Sequence, residues 1–276
     1  MRLLYFLLRL YLFYDGQHIC VQINIAGYDF MKNGEKSFSK LFEIIELVAQ
    51  SPSGMSGKAI SEASNIPLST TFRMLKFMTD NDYLLSDKGV YTLGLGFVRL
   101  GNVAGTQNLL IKAARPLLAE LSLQTSETVH LAKLHGDRIV YIDKVEGSRL
   151  IRMGSLIGKT SPLHCTGVGK AIFAFLDDLQ REKLLAELEY TPFTPNTITG
   201  DLRMRQELDS IRQQGYSVDN CEHEDWVYCV AVPIFNREHQ VIAGISISGA
   251  EMYMRDRKLQ LARLLNAAAN HITSAL

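Results

Sequence analysis

The chain has 276 residues, 29 basic and 29 acidic side chains, and 47% hydrophobic residues, enough for one or two domains with a real core. A formal charge of +0 excludes attraction to polyanions through net charge, so nucleic acid or an anionic membrane would have to be met by a local patch. The four cysteines, Cys20, Cys165, Cys221 and Cys229, are too few and too scattered for a disulfide framework and fit a reduced, cytoplasmic setting.

The chain begins MRLLYFLLRLYLFYDGQHIC, a basic Arg2 ahead of an apolar run in the manner of a signal peptide. Arg9 interrupts the run, aromatics crowd it, and no small-x-small cleavage site follows. It is also shorter than the about 20 apolar residues of a membrane span. At Met31 the character changes to MKNGEKSFSKLFEII, the polar start of an ordinary cytosolic protein. Residues 1–30 are therefore expected to be a non-native or disordered extension from an upstream start codon, with a membrane anchor as the alternative.

Residues 31–94 read as a small DNA-binding unit. In SFSKLFEIIELVAQ, Phe38, Leu41, Ile45 and Val48 recur at helical spacing. SPSG is a breaker, and SGKAISEAS is a short helix with Ala59, Ile60 and Ala63 on one side. Asn65-Ile66-Pro67 is a tight turn. PLSTTFRMLKFM then opens a helix that runs to about Asn81. Its Thr71, Met74, Leu75 and Met78 form a core stripe, and Ser69, Arg73 and Lys76 fall on the other side. YLLS, DKG and VYTLG form a hairpin. Three helices and a hairpin are the order of a winged helix-turn-helix.

Ser69 at a helix start reads first as an N-cap. That leaves Thr70 and Arg73, residue types that a recognition helix presents to phosphates and base edges. Phe72 either packs on the hairpin or touches a thymine methyl. Basic residues (Lys32, Lys36, Lys40, Lys58, Arg73, Lys76, Lys88) balance acidic ones (Glu35, Glu43, Glu46, Glu62, Asp80, Asp82, Asp87) across this unit. A single copy should therefore bind DNA weakly and lean on dimerisation.

Residues 95–124 read as helix throughout, bent near Pro116, with the joint between domains at 95–110. From 111 to 276 the pattern is mixed. TVHLAKLHGDRIVYIDKVEG is a hairpin continued as strand by LIRMGSLIGKTSPL; three helices follow, the last ended by Gly215; CVAVPIFNREHQVIAGISISG is a second hairpin before a final helix at about 255–274. The expected class is α+β. In SPLHCTGVGKAIFAF, Gly167 and Gly169 precede or open a helix whose N-terminus favours an anion, although Gly169-Lys170 lacks phosphate-loop spacing. Ser246 and Ser248 alternate on one face of a strand. Cys221, His223 and Cys229, with His164 and Cys165, contain metal-ligand types at no zinc-ribbon spacing. His130 and His164 read most simply as partly buried structural histidines. A cysteine- or metal-dependent hydrolase is the rival reading, with no catalytic dyad to specify it.

PLSTTFRML, VYTLGLGFVRLG, ETVHLAKLHGDRIVYIDKVEG, IGKTSPLHCTGVGKAIFAFL, TPNTIT, IRQQGYSVDN and CVAVPIFNREHQVIAGISISG occur in that order. With them the chain from about 38 to 274 resembles the IclR family of bacterial transcriptional regulators. The resemblance implies a winged helix-turn-helix, a dimerising helical linker and a GAF-like effector-binding domain, with no catalytic residue, metal or cofactor. The partners it implies are operator DNA, a small organic acid and further copies, as a homodimer or dimer of dimers. It places DNA contacts on Ser69, Thr70, Phe72 and Arg73, joined by Lys76 from the helix face. It puts Leu150 and Met153 on an apolar pocket wall, a carboxylate cradle at Gly167 and Val168, and Asp219, Cys229, Ser246 and Ser248 on the polar side. One departure is Trp226, where the family often has glycine; its indole either walls the pocket, stacks on a ligand's carbon face, or caps the surface. The pattern is most similar to the branch that senses sugar acids such as 2-keto-3-deoxygluconate or rhamnonate, which implies a repressor of a sugar-acid catabolic operon.

Overall fold

The computed structural model describes residues 8–14, 17–23, 28–149 and 154–276, with side chains from position 37 onward. The chain divides into two compact units, Met1–Val103 and Ala104–Leu276.

In the first unit, β1 (Leu8–Tyr14) and β2 (Gln17–Ile23) pair antiparallel from Leu8↔Ile23 to Tyr14↔Gln17. This hairpin was not expected within 1–30. Its sequence signal is Asp15-Gly16, a turn pair between two runs rich in aromatic and β-branched residues. Next come α1 (Tyr28–Ala49), β3 (Met55–Ser56), α2 (Gly57–Ser64), α3 (Leu68–Asp80), β4 (Leu84–Asp87) and β5 (Val90–Leu93). The strands form a sheet in the order β3-β5-β4. Lys88 and Gly89, both at positive φ, make the two-residue turn between β4 and β5, a geometry whose twist suits a hairpin.

The core of this unit is Ile44, Val48, Ile60, Ile66, Leu75, Met78 and Leu84. The expected stripe on α1 shifts accordingly. Phe38 is 70% exposed, whereas Ile44 is fully buried, because α1 packs through the later turns that carry Leu41, Ile44, Ile45 and Val48. On α2 the buried face is Gly57, Ile60 and Ser64 rather than the two alanines. Ser64 tolerates burial by donating to the Ile60 carbonyl at 2.7 Å.

The segment expected to run as one helix is broken. α4 (Leu95–Gln107) ends before Asn108, and α5 (Leu109–Thr125) begins after it. Asn108 has an extended backbone, and its Oδ1 accepts from the N–H groups of Leu110 at 3.1 Å and Ile111 at 3.4 Å. It therefore caps a new helix rather than continuing the old one.

The second unit is built on an antiparallel sheet ordered β8-β7-β6-β11-β10-β9. Its elements are β6 (Thr128–His135), β7 (Arg138–Val145), β8 (Thr160–Pro162), α6 (Gly167–Ala174), α7 (Asp178–Glu187), α8 (Asp201–Gln214), β9 (Ser217–Asn220), β10 (Val227–Phe235), β11 (Val241–Ala250), α9 (Glu251–Met254), a 3-10 turn and α10 (Lys258–Ala275). Of the strand expected over LIRMGSLIGKTSPL, Thr160–Pro162 alone forms among the described residues. The edge strand β9 is an addition, too short and polar to show as a run.

The period of two sorts the sheet's side chains. Val129, Leu131, Tyr228, Val230, Val232, Ile245 and Ile247 pack with Leu118 of α5 and Leu265 of α10. Ala132 and Ala231 turn the other way, toward Val168 and Ile172 of α6 and Met204 of α8. A Cβ on Gly244 would come within 2.7 Å of Val168 Cγ2, so α6 approaches β11 as closely as glycine allows. His130, Cys229, Ser246 and Ser248 occupy positions of that α6-facing parity. The chain is α+β, and among the described residues no helix is long and apolar enough to cross a membrane.

Candidate functional site

The first candidate surface is α3. Its N-cap position is Pro67, and no side chain caps it, so Ser69 does not take the capping role the sequence suggested. Thr71 does local work instead. It is fully buried, and its Oγ1 donates toward the carbonyls of Ile66 at 3.3 Å and Pro67 at 3.4 Å, tying the helix to the turn before it. Ser69, Phe72, Arg73 and Lys76 are exposed and Thr70 is half-buried, which gathers the predicted DNA contacts on the face opposite Met74, Leu75 and Met78. Arg73 has no ion pair among the described residues, whereas Lys76 is held by Asp80 one turn on, at 3.0 Å.

Phe72 lays its ring against α2. A Cβ added to Gly57 would lie 2.9 Å from its ring, so the ring covers the first residue of α2 while remaining 46% exposed.

The second candidate is a cavity of about 40 Å³ in the other unit, room for a few water molecules. Strand pairing assembles it: Cys229 lies opposite both Asp219 of β9 and Ser248 of β11, and Ser246 lies opposite His130 of β6. The N-terminus of α6 closes over this row, since a Cβ on Gly167 would sit 3.2 Å from Cys229 Cβ. Thr166 caps α6 by accepting from the Gly169 N–H at 3.2 Å, and the N–H groups of Gly167 and Val168 keep no partner among the described residues. Two free N–H groups at a helix start form a site for an anion.

Of the predicted effector residues, Gly167, Val168, Asp219, Cys229, Ser246 and Ser248 line this one cavity. Trp226 does not: it is 78% exposed. Its φ of 68° accounts for the glycine the family often has there, because the position demands a left-handed backbone that glycine adopts freely; nothing in the structure explains the tryptophan. Leu150 and Met153 lie outside the described residues.

The cavity also contains residues that sequence reasoning missed. His130, read as a structural histidine, contributes a ring whose Nε2 meets Ser155 Oγ at 2.7 Å and whose Nδ1 meets Ser248 Oγ at 3.4 Å. Its signal was the alternation in TVHLAKL, which sets His130 opposite in facing to Val129 and Leu131. Tyr141, Thr166 and His223 also line it.

Burial, then the charge of Lys144, pushes the His130 imidazole down to about 3, so it stays neutral. Burial, then Glu222, pushes Asp219 up to about 7. No lysine or arginine lines the cavity among the described residues, so a ligand carboxylate would be met by N–H dipoles and hydroxyls.

Lys170, which stood next to Gly169 as a hint of a phosphate loop, is fully buried and turned away from that task. Its Nζ donates to Glu222 at 2.6 Å and Glu207 at 2.8 Å. Burial alone would lower it, and the two carboxylates more than offset that, holding the ammonium charged. Among the described residues no group of three His, Cys, Asp or Glu is placed to hold a metal ion. Burial raises the thiols of Cys165 and Cys229 and pushes Cys221 up to about 11, the reverse of nucleophile activation.

The model of the IclR helix-turn-helix domain matches residues 37–88, and that of the C-terminal part of bacterial transcriptional regulator IclR matches 103–274. The chain belongs to the IclR family. The regulator KdgR of Dickeya chrysanthemi is 33% identical over 94% of this chain and 85% of its own length. The repressor AllR of Salmonella typhimurium is 31% identical over 89% of this chain and 91% of its own. Among solved structures, the Thermotoga maritima IclR superposes with a TM-score of 0.73 at 32% identity, covering 87% of this chain and 98% of that one.

As an IclR-family member the chain is a transcriptional regulator with an N-terminal DNA-binding domain and a C-terminal effector domain, and it is not an enzyme. The hydrolase alternative finds no support in these relatives, which are named as regulators.

Proposed function

We propose that the chain is a cytoplasmic repressor of a sugar-acid catabolic operon, released or retained on DNA by a small carboxylate. Ser69, Thr70, Phe72 and Arg73, with Lys76 at the edge, meet the operator in the major groove. The effector's carboxylate sits on the N–H groups of Gly167 and Val168, its hydroxyls meet Asp219, Ser246 and Ser248, and the cavity of about 40 Å³ widens to admit its carbon chain. The protein works as a homodimer or a dimer of dimers, whose paired recognition helices compensate for the charge balance of each DNA-binding unit. The effector shifts DNA affinity only as far as it binds one arrangement better than the other.

The observation that carries this reading is the convergence of two unpartnered helix N–H groups with Asp219, Ser246 and Ser248 at one cavity. The repressor sign is supported by relatives named as repressors.

A thermal-shift screen of aldonic and 2-keto-3-deoxy acids tests it, because a ligand that binds only the native state raises the melting temperature. A sugar acid should stabilise the protein and change its retention of DNA from its own promoter region. A screen in which no carboxylate stabilises it would overturn the proposal.

A further inference from the structure

A second and larger cavity, about 280 Å³, lies across β9 from the first. The strand's alternation separates them: Asp219 lines the first, Val218 and Asn220 the second. The second is also lined by Arg203 and Glu207 on one face of α8, by Glu222, and by Lys258 at the start of α10.

Its cations, Arg203 and Lys258, have no carboxylate partner among the described residues, and its two carboxylates share one lysine. Arg203 stands in the first turn of α8, whose N-cap Gly200 supplies no side-chain hydrogen bond, so a carboxylate is favoured further there. On the acidic side, Glu222 is 5% exposed; its Oε1 accepts from Lys170, and its Oε2 is buried with no hydrogen-bond partner. A buried carboxylate oxygen left unmatched costs free energy until a donor reaches it. Glu207, only partly buried, spends one oxygen on the same lysine.

We propose that this cavity is a second ligand site, separate from the effector cavity, and that it takes a small zwitterion of the α-amino acid class. The ligand's carboxylate pairs with Arg203 and Lys258, and its ammonium supplies a second donor to Glu207 and Glu222, which share the single ammonium of Lys170. A simple anion supplies no donor to the carboxylates, and a simple cation leaves Arg203 and Lys258 unmet.

The test is calorimetric titration of the full chain with each proteinogenic L-α-amino acid, with succinate and putrescine as probes of one sign only. At least one amino acid should bind one per chain with a Kd below about 1 mM and more tightly than either control. Arg203→Ala and Lys258→Ala should each weaken that binding about tenfold or more. Ser246→Ala, in the other cavity, should leave it unchanged. Far-ultraviolet circular dichroism checks that each variant is folded, and Glu207→Gln provides a further substitution of equal size that should also weaken binding. The proposal fails if no amino acid binds, if binding is indifferent to Arg203→Ala and Lys258→Ala, or if Ser246→Ala alone removes it. It fails equally if these variants change self-association in sedimentation while no amino acid binds, for the cavity is then a contact between copies.

Discussion

The backbone N–H of Glu222 donates to Asp219 Oδ1 at 2.7 Å, so the segment that holds the buried pair with Lys170 also aims the carboxylate of the effector cavity. Burial, followed by the charge of Glu222, leaves Asp219 up at about 7. The native protein thus keeps a proton that the unfolded chain gives up near about 4. Stability from this group is complete below about 4 and is lost as pH rises to about 7, since over that span the native state binds more protons. Asp219→Asn removes that slope. Urea melts across this range should show the difference between wild type and variant growing toward neutral pH, and parallel curves would show that Asp219 is ionised in the native state throughout.

Lys170→Met should be severe. It leaves Glu222 buried without its cation, and breaking one side of such a pair costs about 3–5 kcal/mol. Urea unfolding should give a lower midpoint at an unchanged slope. Adding Glu222→Leu should recover much of the loss, because both charges then leave the interior; no recovery would mean that Lys170 matters through packing.

Arg73→Ala should weaken operator binding by roughly ten- to a hundredfold if it reads a base edge. If it meets a phosphate instead, the salt dependence of log K should flatten by about one unit, with sequence preference kept. Effector binding should be unaffected, because Arg73 and the effector cavity belong to different compact units of the chain. Unchanged DNA affinity at every salt concentration would remove Arg73 from the contact set.

Trp226→Gly should leave stability unchanged or raise it by up to about 1 kcal/mol, as strain at a positive φ is relieved against the greater freedom of glycine in the unfolded chain. The exposed indole has little packing to lose. A fall in melting temperature would show that the ring is engaged after all.

Ser246→Ala with Ser248→Ala should abolish the response to a sugar acid while DNA binding without ligand survives. Electrophoretic mobility shifts with and without ligand measure both, and a variant that still responds would displace the effector from this cavity.

Much of the architecture was legible because it depends on short-range patterns. Thr71, Met74, Leu75 and Met78 repeat at helical spacing, and all four are buried in α3. Lys88-Gly89 marks its own turn, and Gly215, at positive φ, ends α8. Asn108 was harder to read: its effect depends on backbone geometry, and a helix-compatible composition runs through it on both sides. β9 was harder still, since its alternation covers only four residues.

By itself the sequence determined which residues are chemically equipped: a hydroxyl-and-arginine face on one helix, glycines at a helix start, and paired serines on a strand. Their order also determined the family. Only the tertiary structure decided which of them meet. Cross-strand register, a long-range relation that no local pattern encodes, brings His130 to Ser246 and Asp219 to Cys229. Burial decided the rest. It withdraws Lys170 from any phosphate and commits it to Glu222 and Glu207, because a charge in the interior must be paired, and it leaves the Trp226 ring outside the cavity.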